Sequence, residues 1–323
     1  MEYCVAIRTL GTAGEKYQIL LDSLNSQTIR PKKILVYIPN GYAIPKETIG
    51  WEEYIRSPKG MITQRSLPFD EIDTEYILFC DDDLSLEPNS VERLYLGLKE
   101  NDGCCISPNT FPIENKSILF KIKQAIAGDA FPRKNDGWAF KIMRNGSYTY
   151  NNKPSKDVLP TQSAAGPCLL IKKEAYLAIH FQDERWLDSF KYALGEDTLF
   201  FYKLHIMKYK VLIHYNSGIV HLDAGTSSKS LPEEWIRKSV ALSLIVSYRI
   251  RYDVKNVSVF NKILWLVSNA VRHTEQYLFT FLQTLLKERR LVFFDYLKGI
   301  IDAYRYVKSD EYRRIPRFDA YAF

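Results

Sequence analysis

The chain opens with two short apolar runs separated by a stretch of helical periodicity. Val5-Ala-Ile7 is unbroken, Gly11 and Gly14 mark a loop, and Tyr17, Ile19, Leu20, Leu21 and Leu24 then recur at helical spacing as far as Gln27. Pro31 closes that unit, and Lys33-Ile-Leu-Val-Tyr-Ile38 reads as a second strand stopped by Pro39-Asn40-Gly41. Strand, helix and strand at this spacing predict a βαβ unit, hence a parallel pair joined by a right-handed crossover. Residues 41–60 are rich in turn residues. Glu75-Tyr-Ile-Leu-Phe-Cys80 is the apolar run expected of a central parallel strand covered on both faces, and it ends in Asp81-Asp82-Asp83. A helix follows from near Pro88, carrying Val91, Leu94, Leu96 and Leu98.

Residues 128–162 hold Gly, Pro, Asn, Lys and Ser with little periodicity, which predicts a long mobile loop. Cys168-Leu-Leu-Ile171 is strand-like, and a short helix runs from Lys173 to Ile179. Gly195-Glu196-Asp197 opens a further helix through Leu204, Lys210-Val-Leu-Ile213 is a strand, and Gly218-Ile-Val-His221 leads into a Gly/Ser loop ending near Pro232. From Glu233 the pattern is helical to Tyr306, with Phe260, Ile263, Leu264, Val267, Val271, Leu278, Phe281, Leu282 and Leu285 repeating at three and four. The expected organisation is an α/β domain over 1–232, with a mainly parallel sheet and flanking helices, plus a helical C-terminal extension over 233–323.

Composition excludes few classes beyond disorder and low complexity: 46% of residues are apolar and 25% charged. Charge is more informative once divided. Residues 1–232 balance 28 basic against 28 acidic side chains, whereas 233–323 carry 16 against 10, so the net +6 lies in the extension. Such asymmetry points to an anionic surface, membrane or nucleic acid. The tail's longest uncharged stretches, 239–248 and 276–286, are far short of the ~20 residues that span a bilayer. The five cysteines form no CxxC pair, and Met-Glu-Tyr-Cys-Val-Ala-Ile enters the first strand directly, which predicts no secretory leader and a reduced, cytoplasmic protein. Cys80, Cys104 and Cys168, among apolar neighbours, read as packing residues.

Three charges at the carboxyl end of a buried strand require a reason. In an open parallel sheet that edge is where ligands bind. Adjacent carboxylates repel unless a cation neutralises them, and hard divalent ions prefer oxygen ligands. Asp81 and Asp83 face the same way from an extended chain, so one ion could bridge them. A solvated acidic turn that caps the next helix is the simpler alternative. Far downstream, Glu196 and Asp197 begin a helix and His221 ends a strand. Taken singly, the two acids are what a helix dipole favours in a first turn, and the histidine could be a hydrogen-bonded core residue.

The ordered set resembles glycosyltransferase family 2, enzymes of GT-A fold that use nucleotide-sugar donors. The likeness covers roughly residues 3–223 and rests on the strand ending in Asp81-Asp82-Asp83, on Gly195-Glu196-Asp197, and on the later strand ending in His221. Ser163-Ala164-Ala165-Gly166 before Cys168-Leu-Leu-Ile-Lys172 is similar to the small-residue turn and strand preceding the family's acceptor-side helix. Gln64-Arg65-Ser66 stands where members often carry an Arg-Asn pair. Ser247-Tyr248-Arg249-Ile-Arg251 and Gly299-Ile-Ile-Asp302 resemble the helical C-terminal segments of bacterial polysaccharide members. The chain departs from the pattern at Ile38-Pro39-Asn40-Gly41, where members usually have a base-contacting Asp, and at Arg8-Thr9 after the first strand.

The resemblance implies an inverting, metal-dependent transfer of a sugar from a nucleoside-diphosphate donor to a hydroxyl of a glycan or lipid-linked acceptor, in surface polysaccharide synthesis. It implies Asp83, His221 and Asp81 as ligands of Mn²⁺ or Mg²⁺, with Thr9, Asn40, Arg65, Asp81 and Asp82 on the nucleotide side and a UDP-sugar as donor. Asp197 becomes the general base and Glu196 orients it or the acceptor. An aspartate with an ordinary pKa of about 3.9 is a weak base, so surroundings that raise it would help.

Asp81-Asp82-Asp83-Leu84-Ser85 also satisfies the Asp-x-Asp-x-Ser/Thr pattern of a HAD-type phosphohydrolase with Asp81 as nucleophile, although that family places the motif on its first strand. A sugar nucleotidyltransferase wants a Gly-rich loop that Gly11-Thr-Ala-Gly14 matches weakly, and a non-catalytic carbohydrate-binding protein has no need of Glu196-Asp197. For the basic extension two compatible readings stand. The helices pack on the catalytic domain with Lys and Arg on the solvated face, or they also dock on an anionic inner leaflet beside a lipid-linked acceptor. Nucleic acid is not expected as a partner, since no such module is present and the site-bearing region is neutral.

Overall fold

The computed structural model describes residues 1–110, 131–133, 137–151, 153–190, 194–222, 232–287 and 290–319. Along the chain the strands are β1 (Tyr3–Arg8), β2 (Ile34–Pro39), β3 (Glu53–Ser57), β4 (Tyr76–Asp81), β5 (Leu84–Leu86), β6 (Cys105–Pro108), β7 (Phe131–Arg133) and β8 (Phe140–Ile142). They continue as β9 (Tyr148–Asn151), β10 (Val158–Pro160), β11 (Cys168–Lys172), β12 (Val211–His214), β13 (Ile219–His221), β14 (Val254–Lys255) and β15 (Phe318–Asp319). Eight of them form one sheet in the order β10-β12-β6-β11-β4-β1-β2-β3.

The β4-β1-β2-β3 half of that sheet is wholly parallel, and β6 pairs parallel with β12. β11 runs antiparallel between β4 and β6, and β10 is an antiparallel edge. This is the α/β architecture expected, with a large, mainly parallel sheet flanked by helices and a set of C-terminal helices. The uninterrupted apolar runs follow from burial on both faces. Tyr3, Val5 and Ile7 join one core with Leu20, Leu21 and Leu24 of the Glu15–Asn25 helix, whereas Cys4 and Ala6 join the other with Phe69, Tyr176 and Phe200. Each such aliphatic side chain withdrawn from water contributes about 1.5–3 kcal/mol. All five cysteines are buried and unlinked.

The structure corrects the sequence reading in three places. The turn-rich stretch 41–60 contains β3, an edge strand whose partly exposed Glu-Tyr-Ile-Arg-Ser carries too little apolar pattern to announce itself. The segment read as a long loop over 128–162 contains β7, β8 and β9, joined in a small sheet of order β7-β9-β8, and β10 at the edge of the main sheet. Its described part is therefore a built lobe, held by hydrogen bonds such as Met143 N–H to Ser147 O at 2.7 Å. The helical run after Glu233 is broken. Pro232–Arg251 and Val259–Lys287 are separated by a turn and β14, with Asn256 at φ 60°, and Arg290–Tyr306 follows.

The extension is tied to the α/β domain by buried polar contacts. Arg249 makes a two-pronged pair with Glu184, Nε to Oε2 at 2.8 Å and Nη2 to Oε1 at 2.7 Å, and Lys203 lies 3.2 Å from the same carboxylate. Arg251 donates to Met143 O, and Ser247 donates to Asn145 O, so the Pro232–Arg251 helix also supports the β8-β9 lobe. Among the described residues no helix is long and apolar enough to cross a membrane.

Candidate active site

Two neighbouring parallel strands deliver the first half of the site. β1 and β4 end in register, with Arg8 opposite Asp81. The Arg8 guanidinium meets Asp81 Oδ1 at 2.5 Å, a partner the sequence reading passed over although a cation ending an apolar strand beside an acidic strand end is a visible signal. One residue further on, Thr9 Oγ1 donates to Asp82 Oδ2 at 2.5 Å and accepts from Gly11 N–H at 2.8 Å. Gly11 has φ 75°, and a Cβ there would collide with Ala43 O, so the loop that orients Thr9 requires glycine. Burial, the neighbouring Asp81 and Asp83 carboxylates, and the outweighed Thr9 hydrogen bond leave the Asp82 carboxyl above its ordinary pKa.

β5 turns the acidic segment back on itself and pairs antiparallel with β13, placing His221 opposite Leu84. This short pairing, which the sequence pattern does not announce, brings His221 Nε2 to 3.0 Å from Asp83 Oδ1 across 138 residues of chain. Leu222 N–H donates to Asp83 O at 2.8 Å and fixes the junction. The structure thus joins Asp83 and His221. Asp81 Oδ1 is engaged by Arg8, and among the described residues no three His, Cys, Asp or Glu side chains form a ligand set for a metal ion. Asp83 and His221 do supply one hard oxygen and one imidazole nitrogen side by side. They fit a divalent cation that takes its remaining ligands from water and phosphate oxygens, the usual mode for Mg²⁺ on nucleotide substrates.

The second half of the site is built around Arg65, which ends the short Met61–Arg65 helix and is only 4% exposed. Its Nη1 lies 2.5 Å from Asp197 Oδ1 and 3.0 Å from Glu196 Oε1, and its Nη2 donates to Gly166 O at 2.9 Å. Both acids sit in the first turn of the Glu196–Ile206 helix, after Gly195 at φ 87°. Gly166 is a close-approach glycine, since a Cβ there would stand 2.6 and 2.7 Å from the two Arg65 nitrogens and run into Asp197 Oδ1. Tyr176 Oη lies 2.7 Å from both Arg65 O and Leu67 O and shares its one proton between them, anchoring the backbone beneath. Arg65, expected on the nucleotide side, is committed to these acids. Asn40 lies exposed at the end of β2, its N–H donating to Ser57 O.

The two halves share a field. Burial works against the Arg65 charge, yet the Glu196, Asp197 and Asp81 carboxylates outweigh it and raise its pKa. Glu196 is raised to about 7, chiefly by burial, with Asp197 and Asp81 adding to the shift and Arg65 and Arg8 opposing it. Its Oε2 is buried and, among the described residues, has no hydrogen-bond partner. Asp81 N–H donates to Pro167 O at 2.7 Å, so the Gly166 turn beside Asp197 is stitched directly to the strand end carrying the aspartates. The side chain of Asp197 is 37% exposed against 10% for Glu196, so of the two acids Asp197 can reach a bound molecule.

No family model matches the chain, and no curated protein matches it. Among solved structures, one of S. aureus TarS is similar over 84% of this chain, at 12% sequence identity and a TM-score of 0.46. The match covers 43% of that structure, so this chain spans less than half of its length.

Proposed function

We propose that the chain is a glycosyltransferase that moves a sugar, with inversion, from a nucleoside-diphosphate donor to an acceptor hydroxyl. The observation that carries the reading is the convergence at one sheet edge of the Asp83–His221 pair, the Asp81–Asp82 segment beside Arg8 and Thr9, and the Arg65-held acids Glu196 and Asp197. The family resemblance of the sequence supports the same assignment.

A donor diphosphate would lie along the carboxyl ends of β1 and β4. Asp83 and His221 would hold a divalent cation there, which when bound supplies Lewis-acid stabilisation of the departing phosphate oxygens. Arg8 sets the carboxylate plane of Asp81, and Thr9 that of Asp82, so neither needs to reorganise when donor arrives. On the opposite side Arg65 orients Asp197. The acceptor O–H proton passes to the Asp197 carboxylate while the acceptor oxygen bonds to the anomeric carbon. The bond from that carbon to the phosphate oxygen breaks, and its electron pair leaves with the nucleoside diphosphate. One displacement from the face opposite the leaving group inverts the configuration. Glu196 shares Arg65 with Asp197 and, held above the usual carboxylate range by burial, limits the negative charge accumulated at this end.

A phosphohydrolase with Asp81 as nucleophile is disfavoured by the Arg8 pairing, which commits one of its oxygens and stabilises its charge. The donor nucleotide, a UDP-sugar on the family likeness, and Mn²⁺ as the ion are parts of the proposal. Thermal-shift titration with UDP, GDP or dTDP, with and without Mn²⁺, tests them, and stabilisation that requires both nucleotide and metal is expected. Asp197→Asn should keep that stabilisation and lose nucleoside-diphosphate release from nucleotide sugars supplied with glycan and lipid-linked acceptors. Release at the wild-type rate would refute the assignment of the base, and phosphate release from simple monoesters would favour the phosphohydrolase.

A further inference from the structure

The long helix Val259–Lys287 is turned inside out relative to a solvated helix. Its inward face carries Trp265, whose indole N–H donates to Ser247 Oγ at 2.8 Å, and the buried Asn269. Phe260, Ile263, Val267, Val271, Leu278 and Leu282, which recur at three and four along the sequence, are exposed. At 100° per residue the exposed arc is about 160° wide and, among the described side chains, holds no charge. It extends over about 40 Å at 1.5 Å per residue. The neighbouring helix Arg290–Tyr306 repeats the arrangement, with Phe294, Leu297, Ile301 and Tyr304 exposed at intervals of three and four. Ring contacts join the stripes, Phe281 to Phe293 at 5.3 Å and Phe293 to Phe294 at 5.4 Å. An apolar surface this continuous marks an interaction site.

We infer that this face lies in the plane of an anionic lipid surface and docks the protein on it. Charge decides the occupant. The six-charge basic excess of the chain lies within residues 233–323, and Lys298, Arg305 and Lys308 are exposed alongside the second stripe. A second copy would bring the same positive field against itself. A paired coiled coil would also use a narrower seam flanked by complementary charges, whereas the arc here is broad and uncharged. Among the described residues neither helix is long and apolar enough to cross a bilayer, so an in-plane position with the apolar side chains sunk to the acyl boundary and the lysines at headgroup level is the arrangement that satisfies both. The inference rests on the C-terminal helices alone and stands apart from the transfer reaction.

Co-sedimentation of the full chain with vesicles tests it, using phosphatidylcholine alone and phosphatidylcholine mixed with phosphatidylglycerol. Binding to the anionic vesicles should exceed binding to the neutral ones by at least about tenfold and weaken with salt. Val267→Glu with Leu278→Glu should reduce it by about tenfold or more with an unchanged near-ultraviolet circular dichroism spectrum. Lys298→Gln with Lys308→Gln, which leaves the apolar stripe untouched, should reduce it severalfold. Absence of vesicle binding, equal binding to both lipids, or binding indifferent to both pairs of substitutions would overturn the inference. A dimer in sedimentation equilibrium that the glutamates dissolve, without vesicle binding, would assign the face to a second copy and overturn it as well.

Discussion

Replacing Glu196 by glutamine isolates the electrostatics of the acidic end of the site. The carboxyl is raised from 4.5 to about 7 in the folded protein, with burial as the first cause. A raised carboxyl binds more protons in the native than in the unfolded chain, so its contribution favours the native state at low pH and is withdrawn as pH rises. The withdrawal begins near the unfolded value and is complete above the folded one. With 1.36 kcal/mol for each unit of displacement, the wild type should lose about 2.5 kcal/mol between pH 5 and pH 8 relative to Glu196→Gln, which does not titrate. Because Arg65 and Asp197 share the charge, this figure is a ceiling. The assay is urea denaturation of both proteins at pH 5, 6, 7 and 8, reading the difference between them so that His205, His214 and His273, whose pKa values burial lowers, cancel. A difference that stays constant with pH, or that moves in favour of the wild type as pH rises, would refute the reasoning.

Two further substitutions probe parts of the framework. Arg249→Ala strands the fully buried Glu184, whose remaining partners are Lys203 and the Trp186 N–H, and should lower stability by about 3–5 kcal/mol in denaturant titration. Adding Glu184→Gln should recover part of that loss, and a single substitution without measurable cost would show that this ion cluster does not hold the extension to the α/β domain. Gly166→Ala pushes a methyl group into Arg65 and Asp197. It should depress glycosyl transfer about 100-fold, as misplacement of a catalytic group by about an ångström does, while leaving nucleotide-dependent thermal stabilisation near wild type. Transfer at the wild-type rate would show that the Arg65–Asp197 geometry does not limit the reaction.

Strands buried on both faces were legible because nothing polar interrupts them, so β1, β2, β4, β11 and β12 emerge as apolar runs bounded by Gly, Pro or charge. The acidic end of β4 was legible for the same reason, as charge abruptly terminating a buried strand. Strands of two to five residues that owe their existence to a partner were not. β5 is three residues and carries no pattern of its own, and although the strand ending in His221 is suggested by the sequence, only its pairing with β5 creates the Asp83–His221 contact. Nor could spacing reveal the destination of Arg65. The family resemblance put it on the nucleotide side, while the fold presents it to the two acids and to Gly166 O.

Local pattern therefore determined the α/β class and the longer elements and singled out candidate site residues, because periodicity and abrupt charge are properties of neighbouring residues. The orientation of the C-terminal helices was beyond its reach. An amphipathic repeat specifies that one face of a helix is apolar, but whether that face meets the protein or the outside depends on which side chains the rest of the molecule accepts, and here Ser247 and the domain beneath it took Trp265 and left Val267, Val271 and Leu278 outward.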